Sequence, residues 1–400
     1  MKRYDKYKGS GVDWIGEIPT SWEIRKFKRL FTEKKKTTNA SLNSGSISFG
    51  EVIYKDDEKI TEATKLSYQV LNSGEFLLNP LNMNYDLKSL RIGLSSIDVV
   101  VSSGYIILQS KKGLDKNYYR WLLRIYDVLF MKTLGAGVRQ TINYNDLADS
   151  HLVLPPFPEQ QAIASFLDDK TSKIDQTISI KEKEIELLKE RRQILIQKAV
   201  TKGLDDKVKL KDSGVEWIGE IPEHWEMKKL KYVVNMQSGE TITAESFTDE
   251  GYPVMGGNGF RGFTNKYTNE GDFILIGRQG ALCGNVNYAQ GKFFATEHAI
   301  VVYPNKDVLN ILWLGELIRL ADLNKLSQTA AQPGISVSQI KNVTTPFIPI
   351  DEQQSIVIYL EKIEEKISKA ISLKQQEIEK LKEYKTVLID NVVTGKVKVY

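Results

Sequence analysis

A chain of 400 residues is long enough for two or three domains, and its 41% hydrophobic and 26% charged residues are typical of a soluble globular protein. Its apolar runs are far shorter than a membrane span and no apolar segment follows the basic N-terminus, so the sequence predicts a cytoplasmic protein. The single cysteine, Cys283, excludes an intrachain disulfide, three scattered histidines predict no metal site, and a net charge of +4 leaves the partner undecided.

The chain opens on a tryptophan motif that is repeated in its second half. Residues 10–19, with the sequence SGVDWIGEIP, recur as SGVEWIGEIP at residues 213–222, and both copies continue into a Trp-Glu pair. A match of this length indicates an internal repeat. Four of the six tryptophans lie in the two copies, namely Trp14, Trp22, Trp217 and Trp225.

Each motif is followed by a variable segment with little similarity to its counterpart, at residues 26–150 and 228–345. Both segments contain short β-branched and aromatic runs, such as residues 272–276, broken by Gly, Asn and Asp. Such runs predict the strands of a twisted sheet. Short helices are predicted over residues 117–131 and 308–323, so each segment is interpreted as a mixed α/β domain.

A long helix is predicted after each variable segment. It opens with the pattern Pro-x-x-Glu-Gln-Gln, which places glutamate in the first turn, where the helix dipole favours it. Both helices end near a glycine, as helices commonly do. Apolar residues recur with heptad spacing at Leu167, Ile174, Ile178, Ile185, Leu188 and Leu195, and at Leu360, Ile367, Ile371, Ile378, Leu381 and Leu388.

The two helices are expected to pair as a coiled coil, because their apolar positions share one register. The polar breaks also match, Lys181 with Lys374 and Arg192 with Lys385, and polar residues at such positions fix register. The long intervening domain permits either orientation, and antiparallel pairing is our prediction. Separate burial of each helix in a globular core is the alternative, which the charged outer faces disfavour.

The order of these elements predicts a mixed α+β (α/β) protein with an internal pseudo-twofold repeat. The first variable domain is placed at residues 1–155, the first helix at 156–203, the second variable domain at 204–347 and the second helix at 348–400. A fixed scaffold that carries two unlike domains suits a protein that recognises two different targets at a set separation.

The sequence resembles the specificity subunits of Type I restriction–modification systems over essentially its whole length. The likeness is carried by the paired Trp-Ile-Gly-Glu-Ile-Pro-x-x-Trp-Glu motifs, the two Pro-x-x-Glu-Gln-Gln helix starts and the two matched helices. Residues 274–286, with the sequence ILIGRQGALCGNV, also look like a common target-recognition sequence of this family.

This resemblance implies a non-catalytic DNA-binding protein. Two target-recognition domains would each read one half of a split site in double-stranded DNA, and the paired helices would set the spacer and dock two methyltransferase subunits. Those subunits would carry S-adenosylmethionine and methylate adenine, so this chain itself would need no cofactor. Motor-nuclease subunits would complete the restriction complex.

Candidate DNA-reading residues are forked or amide side chains, because these reach base edges, with basic groups beside them for phosphates. Glycines surround most of them and allow close approach of the backbone. In the second domain they are Asn258, Arg261, Arg278 and Gln279, and in the first domain Asn82, Lys88, Arg91, Arg139 and Gln140. The four repeated tryptophans are expected to pack each domain onto the helices, since residues that read different sequences should differ.

Two other classes of protein compete with DNA reading. Residues 257–262 match GxGxxG, but a strand-like segment follows in place of a helix, which argues against a nucleotide-binding enzyme. A coiled-coil scaffold that assembles proteins without reading DNA is the second alternative. Salt-dependent binding to duplex DNA would distinguish the reader from the scaffold.

Overall fold

The computed structural model describes residues 2–82, 90–134, 140–327 and 333–399, with the backbone alone at positions 59, 82 and 140. The chain divides into two compact units, one comprising Met1–Lys181 with Gln376–Tyr400 and the other Glu182–Gln375. Within the described residues, no helix combines the length and apolar character needed to cross a membrane.

The variable part of the first unit is a set of short strands with four short helices, followed by the long helix α5. The helices are α1 (Phe27–Leu30), α2 (Glu62–Ser67), α3 (Lys116–Leu129), α4 (Tyr144–Ala148) and α5 (Phe157–Lys202). The strands are β1 (Tyr7–Gly9), β2 (Glu17–Pro19), β3 (Glu23–Lys26), β4 (Phe31–Glu33), β5 (Gly45–Ser48), β6 (Glu51–Tyr54), β7 (Gln69–Leu71), β8 (Phe76–Leu78), β9 (Leu81–Asn82), β10 (Ile92–Leu94), β11 (Val99–Val101), β12 (Ile106–Ser110), β13 (Gln140–Thr141) and β14 (His151–Leu154).

The second unit follows the same plan and leads into the second long helix. Its helices are α6 (Ile311–Leu320), α7 (Val337–Lys341) and α8 (Ile350–Val393). Its strands are β15 (Leu210–Asp212), β16 (Glu220–Pro222), β17 (Glu226–Lys229), β18 (Val234–Ser238), β19 (Tyr252–Gly256), β20 (Gly259–Thr264), β21 (Asn269–Glu270), β22 (Phe273–Gly277), β23 (Val286–Ala289), β24 (Lys292–Ala295), β25 (Ala299–Pro304) and β26 (Thr344–Phe347).

The two units repeat one sheet topology although their variable sequences differ. A four-stranded antiparallel sheet has the order β4-β12-β8-β10 in the first unit and β18-β25-β22-β23 in the second. Beside this sheet each unit has a hairpin, which is β5–β6 in the first unit and β19–β20 in the second. The hairpin pairs in parallel with one strand of a further two-stranded antiparallel pair. The parallel contact is the bridge between Ser44 and Val100 in the first unit and the pairing of β19 with β24 in the second. The internal repeat therefore extends to the fold of the variable domains, although their sequences differ.

The long helices are paired antiparallel within each unit, as the sequence predicted. In the first unit Lys181 Nζ lies 2.6 Å from Glu377 Oε2, and Lys385 bridges to Asp175 at 2.7 Å. In the second unit the corresponding ion pairs are Lys374 with Glu184 and Arg192 with Glu364. The polar breaks in the heptads therefore carry the cross-helix ion pairs.

The predicted apolar positions are buried at Leu167, Ile174, Ile185, Ile367, Ile378 and Leu388 and half-buried at Ile178, Leu188, Leu195, Leu360, Ile371 and Leu381.

The first glutamine of each helix motif fixes the helix to its variable domain. Gln160 is buried, accepts a 2.8 Å hydrogen bond from the backbone N–H of Asp115 and donates one to Pro155 O. Because Asp115 is the N-cap of α3, this amide holds the start of α3 against the start of α5. In the second unit Gln353 makes the equivalent bonds, with Asn310 at the N-cap of α6.

The repeated tryptophans pack in the cores of their units. In the first unit Trp22 is fully buried and its Nε1 donates to Glu159 Oε2, in the first turn of α5, at 2.7 Å. On its other side the ring lies on Gly395, where an added Cβ would come within 2.9 Å of it. Trp225 makes the same contacts in the second unit, with Glu352 and Gly203. Trp14 and Trp217 are half-buried against the same two cores.

Arg91 corrects one sequence expectation, because it lies in a core and not at a surface. Its side chain is only 5% exposed, and its Nε donates to Asp127 Oδ1 at 3.0 Å. The backbone N–H of Arg91 donates to the other oxygen of the same carboxylate. Burial raises the pKa of Asp127 above its ordinary value, although the hydrogen bonds and charge of Arg91 act in the opposite direction. Arg91 is therefore a structural residue that is not available to DNA.

Removing the Asp127 carboxylate should destabilise the first unit strongly. In Asp127→Ala the guanidinium of Arg91 would stay buried without its partner, which costs about 3–5 kcal/mol. The matched control is Asp149→Ala, which breaks exposed ion pairs with Lys26 and Lys28 and should leave the urea midpoint nearly unchanged. Equal midpoints for the two variants would contradict the structural assignment of Arg91.

Candidate nucleic-acid interface

The candidate site of the second unit is built around the tip of the β19–β20 hairpin. Gly257 and Asn258 form the turn, and an added Cβ at Gly257 would lie 3.0 Å from Gly277 Cα at the end of β22 and 2.4 Å from His298 O just before β25. Two side-chain amides hold the turn: Asn287 Nδ2 donates to Gly257 O at 3.2 Å, and Asn285 Nδ2 donates to Asn258 Oδ1 at 3.0 Å. The tip is thus fixed in place before any ligand binds.

The opposite wall is the loop that follows β22. The backbone N–H of Arg278 donates to His298 O at 2.9 Å, and Arg278 O accepts from the N–H of Ile335 at 3.0 Å. Gln279 pairs with Gly334 in an isolated antiparallel bridge, and the N–H of Gly280 donates to Pro333 O. These bonds tie the loop on both sides and direct it along the hairpin tip.

Hairpin and loop enclose an open cleft of about 890 Å³. Three of the four residues predicted for this domain line it, namely Asn258, Arg261 and Gln279. Arg278 is half-buried in the same loop, directly before Gln279. The structure therefore gathers at one cleft residues that are up to 21 positions apart in sequence, from Asn258 to Gln279.

The chemistry of the cleft is that of a polar, cationic recognition surface. Asn258 and Gln279 offer amides and Arg261 offers a guanidinium group, which forms no ion pair within the part of the chain that is described. Guanidinium and amide groups are the ones that make two-point hydrogen bonds to base edges. No group of His, Cys, Asp and Glu in the described ranges could hold a metal ion.

Phe260 and His298 are among the other residues that line the cleft and that sequence reasoning did not single out. Phe260 is 58% exposed beside Arg261, and His298 contacts Glu297, with Nε2 3.3 Å from Oε1. A signal for Phe260 was present, since it lies between two predicted residues. His298 joins the cleft only because β25 pairs with β22, and this pairing has no local signal in the sequence.

The corresponding residues of the first unit are described in part. Asn82 and Gln140 are direct neighbours in the antiparallel register of β9 and β13, so two of the predicted residues come together. Lys88 and Arg139 lie outside the described residues. The β5–β6 hairpin takes the topological place of β19–β20, and its tip holds Phe49 and Gly50 in left-handed conformations, with φ of 47° and 80°.

Comparison with known proteins identifies related chains. One curated relative, the Type I restriction enzyme EcoprrI specificity subunit of Escherichia coli, is 38% identical over 132 residues, which is 32% of each chain. The putative type I restriction enzyme MjaX specificity subunit of Methanocaldococcus jannaschii is 26% identical over 420 residues, or 96% of each chain. The chain thus spans about a third of the first relative and nearly all of the second.

Solved structures share the fold at 16% sequence identity. A chain from a study of complex assembly and conformational transition of the type I R-M system has a TM-score of 0.72, with coverage of 95% of this chain and 99% of that one. The HsdS subunit from Thermoanaerobacter tengcongensis has a TM-score of 0.58, with coverage of 95% and 98%. At this identity the likeness shows the fold alone.

A family model covers most of the chain. The model for the Type I restriction modification DNA specificity domain matches residues 19–190 and again residues 222–383, one match for each half of the internal repeat. The two relatives named above are both specificity subunits of type I restriction enzymes. The chain therefore belongs to the Type I restriction–modification specificity family and carries two copies of its DNA specificity domain.

Proposed function

We propose that this chain reads a split site in double-stranded DNA, with one half-site bound by each unit. The observation that carries the proposal is the cleft of the second unit, where Asn258, Arg261 and Gln279 converge on a braced hairpin tip. Arginine pairs with the N7 and O6 of guanine, and asparagine or glutamine pairs with the N6 and N7 of adenine. A two-stranded ribbon of this kind fits the major groove, where those atoms are exposed.

In the first unit the reading residues are proposed to include Asn82 and Gln140, together with Lys88 and Arg139, which lie outside the described residues. The direct pairing of Asn82 and Gln140 across β9 and β13 supports a shared surface. Arg91 is left out of this set because it is buried and its Nε is bonded to Asp127 in the core. Arg278 completes the set in the second unit.

The paired helices are proposed to set the spacer and to dock two methyltransferase subunits. Each unit exposes apolar side chains on its part of the helix pair: Ile180, Tyr384 and Val387 in the first, and Leu187, Ile194 and Leu373 in the second. Each of them directly precedes an apolar position or a polar break of the heptad seam, so they flank it on one side. Exposed apolar rows of this kind are typical of surfaces that bind another protein. One row per unit suits two copies of one partner.

The chemistry of modification and cleavage would then reside in the partners. The methyltransferase subunits are proposed to carry S-adenosylmethionine and to methylate adenine, with motor-nuclease subunits joining them for restriction. A structure from the assembly of a type I R-M system shares this fold, which supports such a complex. A partner complex that acts on cellular DNA also favours the cytoplasm.

Exchange of one reading domain should change one half of the recognised sequence. Replacing residues 228–345 with the matching segment of another family member leaves the first unit and both helices intact. Mapping of methylated adenines in cells that express the chimera with its methyltransferase should show one new half-site and one unchanged. A change in both half-sites would contradict independent reading.

Shortening both helices by one heptad should shorten the spacer and leave the half-sites unchanged. Deleting residues 178–184 together with 374–380 removes the Lys181–Glu377 and Glu184–Lys374 ion pairs as complete pairs. Seven helical residues span about 10 Å, which is about three base pairs of DNA. The mapped spacer is the measurement, and an unchanged spacer would contradict the role of the helices. Deleting residues 178–184 alone is the control, because shortening only one of the two helices should disrupt the pairing between them.

A further inference from the structure

An exposed phenylalanine lies at the hairpin tip of each unit. Three described phenylalanines are exposed, and one of them, Phe157, opens α5. The other two are Phe49, which is 74% exposed, and Phe260, which is 58% exposed. Large apolar side chains with this much exposure are most informative when they recur at an equivalent place.

The two rings lie at the tips of topologically equivalent hairpins. Phe49 lies in the turn of the β5–β6 hairpin, and Phe260 is the second residue of β20, just after the turn of the β19–β20 hairpin. In the second unit the first strand of the hairpin, β19, pairs in parallel with β24 of the neighbouring antiparallel pair. In the first unit Ser44, the residue before β5, makes the same kind of contact with Val100 of β11. The variable sequences of the two units have little similarity, so the sequence repeat does not explain a phenylalanine at both hairpin tips. Its presence at both tips therefore indicates a common role.

Neighbouring residues constrain the backbone at Phe49 and the ring of Phe260. Phe49 has a φ of 47°, which L residues rarely adopt, and the next residue, Gly50, packs on Gly93, where an added Cβ would lie 2.3 Å from Gly50 O. Phe260 rests edge-on against Phe263, with ring centroids 5.0 Å apart. The first unit therefore maintains an unfavourable backbone conformation to present an aromatic ring to solvent.

We propose that Phe49 and Phe260 are specificity contacts, each packing on the C5 methyl group of a thymine in the half-site that its unit reads. The inference rests on the proposed DNA-reading function. Phe260 lines the same cleft as Arg261 and Asn258, so a duplex read by those polar groups would bring its groove onto the ring. The thymine methyl is the one apolar feature among the base edges of the major groove.

Thymine-to-deoxyuridine substitution tests the proposal, because it removes only that methyl group. The probe is a duplex that carries the mapped motif, with each thymine replaced in turn, and the protein is the full chain with its methyltransferase. For the wild type, one position in each half-site should lose about fourfold in affinity, the value expected for one buried methyl group. Phe260→Ala and Phe49→Ala should each lose about tenfold or more and become insensitive to deoxyuridine in their own half-site alone.

Two exposed aromatic residues away from the tips serve as matched controls. Tyr232 precedes β18, at the end of its sheet remote from the cleft, and Tyr54 pairs with Gly45 at the open end of its hairpin. Tyr232→Ala and Tyr54→Ala should keep wild-type affinity and full deoxyuridine sensitivity.

The outcomes separate this inference from the function on which it rests. Wild-type protein that is insensitive at every thymine overturns the proposal, as does a phenylalanine variant that loses affinity but keeps its deoxyuridine sensitivity. If the wild type binds the motif no better than a scrambled duplex, DNA reading itself fails. Because both rings are exposed, the alanine variants should keep the thermal midpoint of the wild type.

Discussion

The contact on which each unit depends is an indole held between the start of one long helix and the end of the other. Trp22 donates to Glu159 in the first turn of α5 and packs on Gly395 just beyond α8, and Trp225 does the same with Glu352 and Gly203. Only antiparallel helices bring a start and an end together in this way. The buried ring and its charge-assisted hydrogen bond therefore tie helix pairing to domain docking.

From that contact outward, the architecture separates what is repeated from what varies. The buried glutamine of each helix start holds the first helix of the variable domain, and the sheet extends from there to the hairpin. The residues proposed to read DNA in the second unit, Asn258, Arg261 and Gln279, are exposed at the cleft beside the hairpin tip. A scaffold of this kind would let the proposed reading residues change without disturbing the core, because packing uses different side chains.

Much of this organisation was predictable from the sequence, because the repeats and the heptads are periodic and local. The helix seam follows from such patterns, whereas the three residues that line the cleft of the second unit were selected by side-chain type and neighbouring glycines. Arg91 was predicted to read DNA because its partner, Asp127, is 36 residues away in the sequence. A buried ion pair between residues so far apart leaves no local sequence pattern. Phe49 was missed for a similar reason: its left-handed turn and its equivalence to the β19–β20 tip depend on strand pairing between distant segments.

A map of methylated adenines tests the central proposal most directly. The chain would be expressed with its methyltransferase in a host without adenine methylation, and modified bases would be located by long-read sequencing. Two short fixed sequences around an unspecified spacer of constant length are the expected result. An uninterrupted motif, or no motif from a methyltransferase shown to be active, would contradict reading by two units on one helical scaffold.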